Sequence, residues 1–150
     1  MLGHIKSFLR KHIADESPDA ERKQALRLAT ATLLLEISRA DFDTDEAELE
    51  SIAAALGNAF DLEKSTVREL IAEALNTHEA DLSLYPSVKI VNTFCSHEEK
   101  YRMLCDLWRV AYADGRLDKY EEYQIRRIAD LLYVPHSDFI RAKLSVQNEA

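Results

Sequence analysis

Apolar residues recur three and four positions apart along most of this chain, the spacing of helices that each bury one face. Leu2, Ile5, Phe8, Leu9 and Ile13 share one side of a short segment, with Lys6, Arg10 and Lys11 opposite. This predicts a basic amphipathic helix, which either packs against the rest of the chain or touches an anionic membrane surface. Ser17 and Pro18 then supply a helix cap and a first helical residue. A long helix is predicted from about Pro18 to Ala40, with Ala25, Leu28, Ala29, Thr32, Leu35 and Ile37 on its apolar face. A second, from about Asp45 to Ala55, stops at Gly57-Asn58. A third spans about Leu62 to Asn76, and the polar stretch 77–83 reads as a loop or frayed end.

The second half repeats this style. Tyr85-Pro86 opens a short helix to about Phe94, and Ser96-His97-Glu98-Glu99 is a capping box that starts a helix to about Ala113. A further helix covers about Asp118 to Tyr133. Pro135 opens the last one, with Phe139, Ile140 and Leu144 facing inward and a frayed tail from Ser145. The chain is therefore expected to be all-α. Only three glycines and three prolines occur in 150 residues, too few for the tight turns of an all-β fold.

Within this pattern one segment occurs twice, 73 residues apart. Ala40-Asp41-Phe42-Asp43-Thr44-Asp45-Glu46-Ala47-Glu48 and Ala113-Asp114-Gly115-Arg116-Leu117-Asp118-Lys119-Tyr120-Glu121 share the form A-D-x-x-x-D-x-x-E. Each follows an apolar helix, precedes an amphipathic one and leads to an isoleucine, Ile52 or Ile125. A copied helical hairpin would give a pseudo-twofold bundle with an acidic turn in each half.

Two accounts of the turns stand side by side. Asp45 and Asp118 are natural N-caps, and Glu48 and Glu121 three residues later complete a capping box that needs no ligand. Asp41 and Asp114 fit that account less well, since they close the preceding helix, where negative charge is disfavoured. They can still bond to loop amides. In the other account, Asp41, Asp45, Glu48, Asp114, Asp118 and Glu121 are oxygen donors for a divalent cation. Carboxylates select hard ions such as Ca²⁺ or Mg²⁺.

The paired turns, together with Leu33-Leu34-Leu35-Glu36-Ile37 before the first and Trp108-Arg109-Val110-Ala111-Tyr112 before the second, resemble the TerB-like tellurite-resistance family. The resemblance covers roughly residues 25–145, preceded by the N-terminal helix (1–14) and a polar break (15–24) and followed by a short tail (146–150). The second turn matches more closely; the first carries Phe42 where glycine is usual. The resemblance implies a single all-α bundle of about seven to eight helices with internal pseudo-symmetry. It also implies a cytoplasmic, non-enzymatic protein of stress or tellurite resistance. Such a protein is an acidic interaction module working beside a membrane-associated protein partner, peripheral to the inner face of the membrane. No reaction comes with the resemblance.

Charge and motifs narrow the alternatives. The net charge of −8 opposes nucleic-acid binding, and the basic groups, Lys6/Arg10/Lys11 and Arg126/Arg127, are small. No apolar run approaches the ~20 residues of a membrane span, and no signal peptide is evident. Cys95 and Cys105 match no metal or redox spacing and read as reduced, buried thiols. The scattered glycines build neither a phosphate loop nor a nucleophile elbow. His4, His12, His78, His97 and His136 read as surface or capping residues rather than ligands, and Trp108, Tyr112, Tyr120 and Tyr123 as core or interface packing. Two alternatives remain: an enzyme with a carboxylate or metal site in a cleft between the hairpins, and a structural subunit of a homodimer.

Overall fold

The computed structural model describes residues 18–38, 46–80 and 84–149. These form seven helices: α1 (Pro18–Ser38), α2 (Glu46–Phe60), α3 (Lys64–Ala80), α4 (Tyr85–Phe94), α5 (His97–Tyr112), α6 (Lys119–Leu131) and α7 (His136–Gln147). No strand occurs among the described residues, so the all-α expectation holds. The helix expected over 2–13 and the acids Asp41 and Asp45 lie outside the described residues.

Helix α1 is the hub. It packs against α2, α3, α4, α5 and α6. The expectation of one apolar face understates it, because every residue from Leu28 to Leu35 is buried. A helix buried on all sides must be apolar on all sides. Thr30 and Thr32 are admitted because their hydroxyls donate to the Leu26 and Leu28 carbonyls at 2.8 Å, which satisfies both groups inside.

Helix α5 is the second centre, packed against α1, α2, α6 and α7. Its start is as predicted. Ser96 Oγ accepts the Glu99 N–H at 3.1 Å, and Glu99 Oε1 accepts the Ser96 N–H at 2.9 Å. Trp108 is fully buried and lies against Phe139 of α7, with ring centroids 5.0 Å apart.

Helix ends differ from the sequence reading in instructive ways. Helix α2 does not stop at Gly57-Asn58 but runs to Phe60. Asp61 takes the left-handed conformation (φ 53°), and Leu62 N–H returns to the Gly57 carbonyl at 3.1 Å. That closure holds the helix end with an aspartate where glycine is usual. Tyr133 (φ 59°) does the same after α6, where Val134 N–H reaches Ala129 O at 2.9 Å and Tyr133 N–H reaches Asp130 O at 3.1 Å. Helix α3 extends to Ala80, four residues past the predicted end.

The last helix reverses two expectations. Ile140 and Leu144 are exposed, and the inward positions are Phe139, Ala142 and Val146. The periodicity there admitted more than one face, and contact with α5 selected this one. Nor does the chain fray at Ser145. Helix α7 continues to Gln147, and Glu149 is gripped by Arg109, whose Nη2 lies 2.6 Å from Glu149 Oε1.

Positions 73 apart fall in matching places over the first two helices of each half. Helix α2 begins at Glu46 and α6 at Lys119. Leu34 and Leu107, Leu35 and Trp108, Ile37 and Val110, Glu48 and Glu121, and Ile52 and Ile125 are all buried. Packing partners also match: α1 with α2 as α5 with α6, α1 with α6 as α5 with α2, and α1 with α3 as α5 with α7. The correspondence ends in the third helix of each half, where Val67 is buried and Ile140 is exposed.

Candidate carboxylate site

The second acidic turn is built by local hydrogen bonds. After α5, Gly115 N–H bonds to the Tyr112 carbonyl at 2.9 Å, and Gly115 takes φ 84°. A Cβ there would meet nothing within 4 Å, so backbone conformation alone demands glycine. Asp114 Oδ1 accepts the Arg116 N–H at 2.9 Å, and Asp118 Oδ1 accepts the Tyr120 N–H at 2.7 Å as the cap of α6. Both aspartates thus have a structural task, as loop-amide acceptor and helix cap. Asp114 is exposed and Asp118 half-buried.

Glu121 is different. It lies in the first turn of α6, where acid suits the helix dipole, yet it is fully buried. Glu99, which does complete a capping box, is exposed. A glutamate that only caps a helix has no need to leave water. Glu48, at the matching place in α2, is also fully buried. Sinking a carboxylate is costly unless its surroundings compensate, and both glutamates are engaged by interactions there.

One contact relates the two halves at this end. Gln124 Nε2, in α6, donates to Glu36 Oε1, in the last turn of α1, at 2.9 Å. The end of the helix that leads into the first acidic turn is thereby fixed beside the middle of the helix that leaves the second. Sequence reasoning missed this pair. The available signal was Glu36 itself, a glutamate directly after three leucines in a buried helix.

Of the six predicted acids, Glu48, Asp114, Asp118 and Glu121 are placed by the structure. Among the described residues no three His, Cys, Asp or Glu gather closely enough to hold a metal ion. The second turn therefore does not form a metal centre from described residues.

The enzyme alternative predicted a cleft with a raised carboxyl between the hairpins. A cavity of about 130 Å³ lies where α1, the end of α2 and the start of α5 meet, lined in part by Phe60, Cys95, Arg102 and Asp106. It contains none of the six acids. Burial pushes the Asp106 carboxyl up, against the pull of its hydrogen bond from Arg109. Burial also pushes the Cys95 thiol up to about 11, which leaves it an inert thiol at neutral pH. His97 Nε2 lies 2.9 Å from Asp138 Oδ2, a tie between the first turn of α5 and α7.

A family model described as "Tellurite resistance protein TerB" matches residues 27–144. No curated protein gives a significant match to the chain, and neither does any solved structure. The matched span runs from within α1 to within α7 and takes in both acidic turns, the buried glutamates and the Glu36–Gln124 contact. On that match the chain belongs to the TerB tellurite-resistance family.

Proposed function

We propose that this TerB protein is a non-enzymatic, acidic interaction module whose two acidic turns, descended from one copied hairpin, act as a single carboxylate locus for a divalent cation. The observation that carries this reading is the 2.9 Å bond between Glu36 and Gln124, which ties the end of α1 to the middle of α6, the helix that leaves the second turn. Turns on opposite ends of the bundle would have favoured two independent capping motifs. The burial of both Glu48 and Glu121 supports the same reading, because it exceeds what capping requires.

The donor set is made of carboxylates, with no cysteine or histidine. Oxygen donors of this kind suit Ca²⁺ or Mg²⁺ rather than a soft metal. Asp41, Asp45 and Glu48 would contribute from one turn; Asp114, Asp118 and Glu121 of the other do not gather into a metal centre by themselves, so on this reading the ion is held only with donors from the first turn. Binding would tie the two halves together and fix the acidic surface that a membrane-associated protein partner reads on the cytoplasmic side. No helix among the described residues is long and apolar enough to cross a membrane, so on this reading the membrane is reached through the partner.

The test is a titration of ¹⁵N-labelled protein with CaCl₂ and, separately, MgCl₂. The reading expects localised shifts at residues 39–48 and 113–121, lost in Glu121→Gln and weakened in Asp114→Ala, with both variants remaining folded. Shifts at neither turn would remove the cation from the proposal.

A further inference from the structure

We propose that the outward face of α6 is a docking surface for an acidic segment of a partner protein, with Arg127 and Tyr123 as its anchors. It goes beyond the carboxylate locus and stands on different residues.

Helix α6 buries Glu121, Ile125, Ile128 and Ala129 against the bundle. The opposite side of the same helix carries Tyr120, Tyr123, Arg126, Arg127, Asp130 and Leu131. For a soluble helix this face is unusually rich in large aromatic and cationic groups: Tyr120 is 57% and Tyr123 67% exposed. Tyrosine and arginine are the residues most enriched where proteins meet. The side chains of Tyr123, Arg126, Arg127, Asp130 and Leu131 bound a shallow, open depression of about 210 Å³ on this helix.

Charge decides the occupant. The chain as a whole carries −8. On this face Lys119, Arg126 and Arg127 oppose only Asp130, which leaves a local balance of +2. Glu122 does not offset it, because Lys143 Nζ holds that carboxylate at 2.8 Å on the α7 side. Arg126 stacks over the Phe139 ring at 5.5 Å and meets no carboxylate there. Arg127 is exposed and makes no ion pair or hydrogen bond to any described side chain. Three other arginines are spent on carboxylates, Arg102 on Glu98, Arg109 on Asp106 and Glu149, and Arg141 on Asp138, while Arg22 and Arg27 lie over the rings of Phe94 and Phe60. An unspent guanidinium beside two exposed tyrosines, on an otherwise acidic molecule, is complementary to an acidic chain bearing a large apolar side chain. A second copy docking through the same face would set +2 against +2, so charge disfavours a symmetric homodimer here.

The probe is a short synthetic peptide in which glutamates flank a Phe-Leu pair, titrated into ¹⁵N-labelled full-length protein. The expected result is shifts confined to Tyr120, Tyr123, Arg127, Leu131 and their neighbours, with binding that weakens as salt is raised. Arg127→Glu should weaken it at least about tenfold, as expected for reversing an anchoring charge, and a peptide with lysines in place of glutamates should not bind. Tyr123→Ser serves as a second variant, read alongside unchanged circular dichroism. Absence of binding, shifts elsewhere, or wild-type affinity in both variants would overturn the proposal. So would capture by phosphatidylserine vesicles through this face with no response to the peptide, which would assign the face to a membrane.

Discussion

Glu36 of α1 accepts a hydrogen bond from Gln124 of α6 across 88 residues of sequence, at 2.9 Å. This is a direct polar link between the helix that enters one acidic turn and the helix that leaves the other. A part-buried bond to a carboxylate contributes about 1–2 kcal/mol. Gln124→Ala is therefore expected to lower unfolding free energy by that amount in urea titration. It should also weaken Ca²⁺ or Mg²⁺ binding if the turns act together. Lost stability with unchanged cation affinity would separate the packing role from the site.

The capping box at α5 gives a prediction with a defined pH dependence. Glu99 is held below its ordinary pKa, first by the Ser96 N–H bond. A carboxylate whose folded pKa lies below its unfolded value stabilises at neutral pH, and the contribution is lost as pH falls through the folded value. Ser96→Ala should cost about 1 kcal/mol at pH 7. Glu99→Gln should cost less, and its difference from wild type should vanish in acid. A difference that stays the same from neutral pH into strong acid would contradict the assignment.

Arg109 joins two carboxylates that shift in opposite directions. Its hydrogen bond draws Glu149 down, while burial raises Asp106 despite the same guanidinium. Glu149 thus stabilises above its unfolded pKa and stops doing so as pH falls through its folded one. Asp106 has the opposite sign, with a cost that appears as pH rises through its raised value. Glu149 is about half exposed, so Glu149→Gln should cost only about 0.5–1 kcal/mol at pH 7. Thermal melts taken from pH 7 downward test this, and the cost should shrink as pH falls through the lowered folded value of Glu149.

Tyr133 sits at φ 59° with 80% of its surface exposed. The left-handed region costs a side-chain-bearing residue about 1–2 kcal/mol. Glycine would relieve that at some cost in unfolded-chain entropy. Tyr133→Gly should raise stability by about 0.5–1 kcal/mol in denaturant titration, with the α6–α7 connection unchanged.

Much of this was legible in the residues. The duplicated acidic motif placed α2 and α6, and the Ser-His-Glu-Glu box placed the start of α5. The full burial of α1 was less visible. Thr30 and Thr32 look polar in sequence, and only their bonds to carbonyls four residues back make them interior residues. The stop at Gly57-Asn58 misled because both are standard helix breakers, yet tertiary packing carried α2 to Phe60, and Asp61 made the left-handed turn instead. At the site, the spacing of Glu48 and Glu121 indicated caps. Their depth depends on which helices cover them, and no local pattern encodes that. Gln124 was silent for the same reason, since its partner lies in another helix.

The position of α1 at the hub has a consequence for how the chain is made. It is the first described helix to leave the ribosome, yet its final covering layer, α6, is synthesised about ninety residues later. At typical elongation speeds of about 5–20 residues per second, the Leu28–Leu35 stretch stays without its full complement of neighbours for several seconds. During that interval the nascent protein carries an apolar helix that has not met its last neighbour, so misassociation competes with folding until α6 is made.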